Sequence, residues 1–194
     1  TSKWSGPVAA TYFNTLPPLR LTELHFHPAD APVGSTNSAS DFEFIELRNV
    51  SAQPLALSGF RIEGAVHYQF GSTSAVTTLP AGQRVLLVAN PVAFASRYPG
   101  VTGIAGAYRG NLSNGDERLR LFGPLGEPIS DFTYSQDWAP LADGFGFSLV
   151  LKNEAVEPDA LGNATAWRLS AAVGGSPGAA DPTPVAVETI RVNE

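Results

Sequence analysis

Arg84-Val85-Leu86-Leu87-Val88-Ala89 is apolar at every position after its first, with no alternation of wet and dry side chains. So short an apolar run, bounded by turn signals, reads as a strand covered on both faces. The turn Pro80-Ala81-Gly82 leads into it, and the one helical candidate of the chain, roughly Pro91 to Tyr98, follows it with Pro at its start. A strand buried on two sides needs a layer above it and another below.

Working outward, the other strand-like segments alternate largely at period two, as strands with one wet face do: Phe60-Arg61-Ile62-Glu63, Val66-His67-Tyr68-Gln69-Phe70, Arg118-Leu119-Arg120-Leu121 and Phe147-Ser148-Leu149-Val150-Leu151-Lys152. Leu19 to Phe26 changes its apolar phase between Leu21 and Leu24, which a β-bulge reconciles. Asn114-Gly115, Pro124-Leu125-Gly126 and Asp143-Gly144 punctuate the chain as turns. Short strands without the long helices that parallel crossovers require predict an all-β, antiparallel sandwich with Greek-key connections and one short helix.

Composition agrees. The 19 Gly and 16 Pro suit turns rather than helices, and 43% hydrophobic with 15% charged residues in 194 is the make-up of a folded domain. Eighteen acidic against 12 basic residues give a net charge of −6, and no basic stripe offsets it, so nucleic acid is not an expected partner. The absence of Cys removes disulfide, thiol and thiolate-metal chemistry together. No apolar run approaches the ~18 residues of a membrane span, so no membrane insertion is expected. The signal peptide of an exported parent would lie outside this sequence.

Three stretches divide the chain. Residues 1–18, with Trp4-Ser5-Gly6-Pro7, Tyr12-Phe13 and Pro17-Pro18, read as the end of a preceding β-domain and a linker; 19–178 read as the main sandwich. Residues 179–194 read as a linker and the start of a following β-module. The linker composition spans Gly174 to Pro184, and Ile190-Arg191-Val192-Asn193-Glu194 echoes Leu19-Arg20-Leu21-Thr22-Glu23.

Several motifs stand in a telling order: Leu21-Thr22-Glu23-Leu24 followed by His27-Pro28, Asp41-Phe42-Glu43-Phe44-Ile45-Glu46-Leu47-Arg48-Asn49, Leu55-Ala56-Leu57-Ser58-Gly59-Phe60, and Leu79-Pro80-Ala81-Gly82. Gly110 to Glu117, Gly126 to Asp131, Trp138, Asp143-Gly144 with Ser148-Leu149, Trp167 and Gly175-Ser176-Pro177-Gly178 continue it. From about Leu19 to Gly178 the chain resembles the lamin tail domain family, in its bacterial exported type, with Thr22 where the family's opening strand has Asn. The resemblance implies an immunoglobulin-like sandwich with no catalytic duty.

Asp41, Glu43 and Glu46 form the densest carboxylate cluster and invite a calcium site or a glycosidase pair. On one strand, however, Asp41 and Glu43 share a face and Glu46 takes the other. His25 and His27, two apart, with His67 as a third imidazole, compose a conceivable zinc set, against surface or hydrogen-bonded histidines. Gly174-Gly175-Ser176-Pro177-Gly178 puts Pro after Ser, removing the N–H that a nucleophile elbow uses, and reads as a linker turn. Gly106 to Gly115 lacks the Lys-Ser/Thr and helix of a phosphate cradle. Trp138 and Trp167 suit sugar stacking but more commonly fill a sandwich core.

The expectation is therefore a non-catalytic interaction or structural module, without catalytic, cofactor or metal residues, in an extracellular or cell-surface protein. It serves spacing, anchoring or contact with an unknown protein, a cell-surface glycan or neighbouring domains of the parent chain. The alternatives are a carbohydrate-binding module and an adhesion domain stabilised by Ca²⁺. Pro28 to Ser40, rich in Ala, Ser and Asn, is the candidate contact loop.

Overall fold

The computed structural model describes residues 15–182; the readings made for Trp4 to Phe13 and for Ile190 to Glu194 lie outside the described residues. In chain order the strands are β1 (Leu19–His25), β2 (Phe44–Asn49), β3 (Leu55–Ala56), β4 (Arg61–Gly64), β5 (Val66–Gln69), β6 (Thr78–Leu79) and β7 (Arg84–Val88). After helix α1 (Pro91–Arg97) come β8 (Ile104–Ala107), β9 (Arg109–Gly110), β10 (Glu117–Phe122), β11 (Pro128–Tyr134), β12 (Leu149–Leu151) and β13 (Trp167–Leu169).

Two sheets carry the fold. One has six strands in the order β13-β12-β1-β2-β7-β8, the other five in the order β11-β10-β4-β5-β9, with β3 and β6 as a small pair beside them. Leu21, Leu47, Val85 and Leu149 from the first sheet meet Ile62, Val66, Leu119 and Phe132 from the second in one buried core. This is the expected sandwich, in which alternate side chains of facing strands interdigitate. The chain passes between sheets repeatedly, so β1 ends up between β2 and the late strand β12.

The phase switch in the first strand is a bulge. Leu21 pairs with Leu47 and Glu23 with Glu46, so Thr22 is the extra residue. The insertion keeps both Leu21 and Leu24 in the core and turns Thr22 and Glu23 outward.

The apolar run of β7 is covered on both faces, as its sequence predicts. Val85 and Leu87 enter the main core, while Leu86 and Val88 join Phe44 and Phe94 in a second cluster beneath α1. Asn90 caps that helix by accepting hydrogen bonds from the backbone N–H groups of Val92 and Ala93, and Pro91 fills a first-turn position where no N–H is needed.

The sheet departs from the antiparallel expectation at one place. β8 runs parallel to β7, with Leu86 opposite Ile104. The cause is α1, which carries the chain back over the sheet so that the next strand starts at the same end.

Phe94 is fully buried and packs edge-on against Phe44, with ring centroids 5.8 Å apart. Phe94→Ala is expected to lower unfolding free energy by about 3–5 kcal/mol, the usual cost of deleting a buried aromatic ring. Urea denaturation measures this, and a loss under about 1 kcal/mol would show that α1 is not the cover of the sheet.

Candidate functional site

The outer face of β1 and β2 is unusual in being acidic and dry. The bulge sets Glu23 directly opposite Glu46, and each is only 1% exposed. Burying carboxylates is costly unless hydrogen bonds replace water. Here side chains of the sheet and the chain that follows β13 supply them together. Glu23 Oε1 accepts from Ser148 Oγ at 2.5 Å and Ser176 N at 2.9 Å, and its Oε2 from Ser176 Oγ at 3.0 Å. Glu46 Oε1 accepts from Thr22 Oγ1 at 2.7 Å and Arg84 Nε at 2.9 Å, and its Oε2 from Gly178 N at 2.8 Å.

The Gly-Gly-Ser-Pro-Gly stretch is thus a strap laid across the sheet and not a free linker turn. Gly175 has φ +74°, and a Cβ there would strike Glu23 Oε1. Further along, Asp181 forms an ion pair with Arg168 of β13 and accepts from the N–H of Ala171, which ties down the strap's far end.

Burial raises the pKa of both glutamates. Glu46 is pushed up to about 7, mostly by desolvation and then by the neighbouring charge of Glu23, against the pull of Thr22, Arg84 and Gly178. Glu23 is raised by desolvation despite the Ser148 and Ser176 hydrogen bonds.

The three acids singled out in the sequence go to three different places. Asp41 lies in a 3₁₀ turn over Ala39–Phe42, ahead of the strand, where its carboxylate accepts from Ser38 N at 2.8 Å and Asn90 Nδ2 at 3.1 Å. The strand expected to include it starts at Phe44, so the shared face with Glu43 does not exist. Glu43 is 1% exposed; its Oε2 accepts from Tyr108 Oη at 3.0 Å and Leu112 N at 2.8 Å. Its pKa is pushed up to about 7, mainly by burial, with the charges of Glu117 and Asp41 adding to it. Its other oxygen, Oε1, is buried without a hydrogen-bond partner. Among the described residues no three His, Cys, Asp or Glu side chains gather as a metal site would require.

The histidines also part company. His25 is buried edge-on to Phe44, and desolvation together with the charge of Arg97 lowers its pKa to about 3, so it is neutral in the folded protein. His27 pairs through Nδ1 with Asp143 at 2.5 Å and meets Asn114 Nδ2 through Nε2 at 3.2 Å. His67 sits exposed on β5. Trp167 is 3% exposed, stacks between Phe132 and Trp138, and donates its Nε1–H to Leu161 O at 2.8 Å. It belongs to the core, which leaves its ring no face for a sugar.

In the sequence Glu23 stands out only as part of the Leu21-Thr22-Glu23-Leu24 motif. The available signal was a carboxylate inside an apolar stretch at the point where the phase breaks.

The family model of the Lamin Tail Domain matches residues 19–136, from the first residue of β1 to just past β11. No curated protein matches the chain.

A folded-state pKa above the ordinary glutamate value of 4.5 means that ionisation opposes folding, so stability falls as pH rises toward and through the raised value. His25, depressed in the fold, works in the opposite sense only below its ordinary value of 6.5. Above pH 6.5, where His25 no longer contributes, the remaining loss of stability as pH rises through the folded value of about 7 is expected to be on the order of 1 kcal/mol for each of Glu43 and Glu46. Glu46→Gln should flatten that slope in denaturation curves, and an unchanged slope would contradict it. Gly175→Ala should cost more than about 1–2 kcal/mol, because left-handed strain adds to the clash with Glu23; thermal denaturation reports it.

Proposed function

The chain belongs to the lamin tail domain family, and from that premise we propose that it is a non-catalytic interaction module of a larger exported bacterial surface protein. It contributes spacing, anchoring or partner contact. The observation that carries this reading is how the reactive groups are used. The hydroxyls of Ser148 and Ser176, the natural nucleophile candidates near a buried acid, both point into the carboxylate of Glu23 and hold the strap. Among the described residues no Ser or Thr hydroxyl is hydrogen-bonded to a histidine.

Contact then falls to loops at the ends of the sandwich. The loop Pro28 to Ser40 carries Val33, which is fully exposed, and near its start Ala29 and Pro32 line an open cavity of about 470 Å³ with Tyr98, Gly146 and Val173. Phe145 and Val173 are 65% and 62% exposed at the same end. Apolar side chains presented together on loops suit protein contact better than solvation. Export of the parent polypeptide is part of the same proposal, and a cysteine-free sequence with a large core is compatible with it.

The purified chain is expected to show no turnover across a panel of glycosides, esters and phosphate esters. In a pull-down from cell-envelope extract, it should retain a partner that the Phe145→Ser/Val173→Ser double variant releases. Turnover abolished by Glu43→Gln would replace this reading with an enzymatic one.

A further inference from the structure

Glu43 is the one buried acid whose hydrogen bonding is incomplete among the three glutamates described above: Glu23 and Glu46 engage both oxygens, whereas Glu43 engages only Oε2. A buried oxygen without a partner costs free energy and calls for an explanation in a ligand, a proton or a solvent molecule. Glu43 lies against an open concavity of about 520 Å³ between the 3₁₀ turn that precedes β2 and the Gly110 to Asn114 loop. Ser40, Asn111, Asn114 and Glu117 bring oxygen-bearing side chains to its walls, and no basic side chain lines it. Glu117 spends its Oε2 on the N–H of Ser113 at 2.7 Å.

Two carboxylates without a cation between them favour a positively charged guest. A divalent metal ion fits poorly, since calcium takes six to eight oxygens and generally several carboxylates, and no third acid joins these two. An ammonium group needs only three acceptors, and a methylene stem behind it needs apolar wall. Ala65 and Leu112 supply that wall.

We propose that this concavity is a binding site for a primary ammonium group, the side-chain terminus of a lysine on a partner polypeptide. The ammonium donates to Glu43 Oε1 and to Glu117, and its stem lies along Ala65 and Leu112. The inference rests on the reading of the chain as an interaction module and names the chemistry of what it contacts. Ionised Glu43 is the binding form, so affinity rises with pH through the neutral range. The other titratable groups facing Glu43 are Glu117 and Asp41, whose charges raise its pKa, and Tyr108 and Tyr134, whose hydroxyls burial holds well above their usual range so that both stay protonated.

The test is titration of the ¹⁵N-labelled chain with acetyl-Gly-Lys-Gly-amide, followed by NMR. Parallel titrations use the ε-acetylated peptide, butane-1,4-diamine and calcium chloride. Expected are shifts of the Leu112, Ser113 and Asn114 amides with the lysine peptide, none with its acetylated form, and affinity lower by at least about ten-fold in Glu43→Gln, as loss of a charge-assisted contact entails. Glu117→Gln, at a more exposed wall, serves as the second variant and should also weaken binding if Glu43→Gln perturbs the fold. Equal response to the acetylated peptide, no response at millimolar peptide, a preference for the free diamine, or a response to calcium instead would each overturn the proposal. Loss of amine binding with a catalytically silent chain sinks this inference alone; turnover sinks the module reading.

Discussion

Glu23 and Glu46 face each other across the central strand pair, on the side of the sheet that would otherwise meet water, and the chain returning after β13 crosses that side by donating hydrogen bonds to them. Neither carboxylate is stable there alone, since buried acids without donors carry a desolvation penalty that no apolar neighbour offsets. The strap has no hydrophobic side chain between Gly174 and Gly178 with which to dock. Acid and strap are each other's reason for being ordered. The arrangement closes the sheet's outer face at β12, β1 and β2, while α1 closes it at β7 and β8.

Much of the sandwich was legible because its signals are local. Apolar alternation marks one-sided strands, an unbroken run marks β7, and Pro91 behind Asn90 marks the helix start. The bulge was legible too, since two leucines three apart cannot share a face of a regular strand. Its consequence was not. That Glu23 meets Glu46, and that both meet Ser176 and Gly178, depends on pairing between segments far apart in the chain, for which one sequence offers no spacing rule. The same limit explains the parallel β7-β8 pair, which follows from where α1 returns the chain and not from the content of either strand.

The candidate site divides in the same way. Asp41, Glu43 and Glu46 form a cluster only along the chain; in space one caps a turn, one borders a concavity and one anchors the strap. Sequence proximity proposed a shared role that the backbone dissolves, because the change from 3₁₀ turn to strand between Phe42 and Phe44 redirects every side chain after it. The histidines show the reverse. Their spacing suggested common ligation, yet burial of His25 beside Phe44 and pairing of His27 with Asp143 assign them to separate environments.

The place of β1 between β2 and β12 also bears on how the polypeptide acquires its shape. The opening strand of the sandwich gains its second neighbour only from residues near Leu149, so one of its edges stays open while more than half of the described chain is made. Non-local pairing of this kind slows folding because loop closure precedes its reward. During synthesis the module is a half-built sheet whose completion awaits its last segment, and its vulnerability to mispairing is concentrated in that interval.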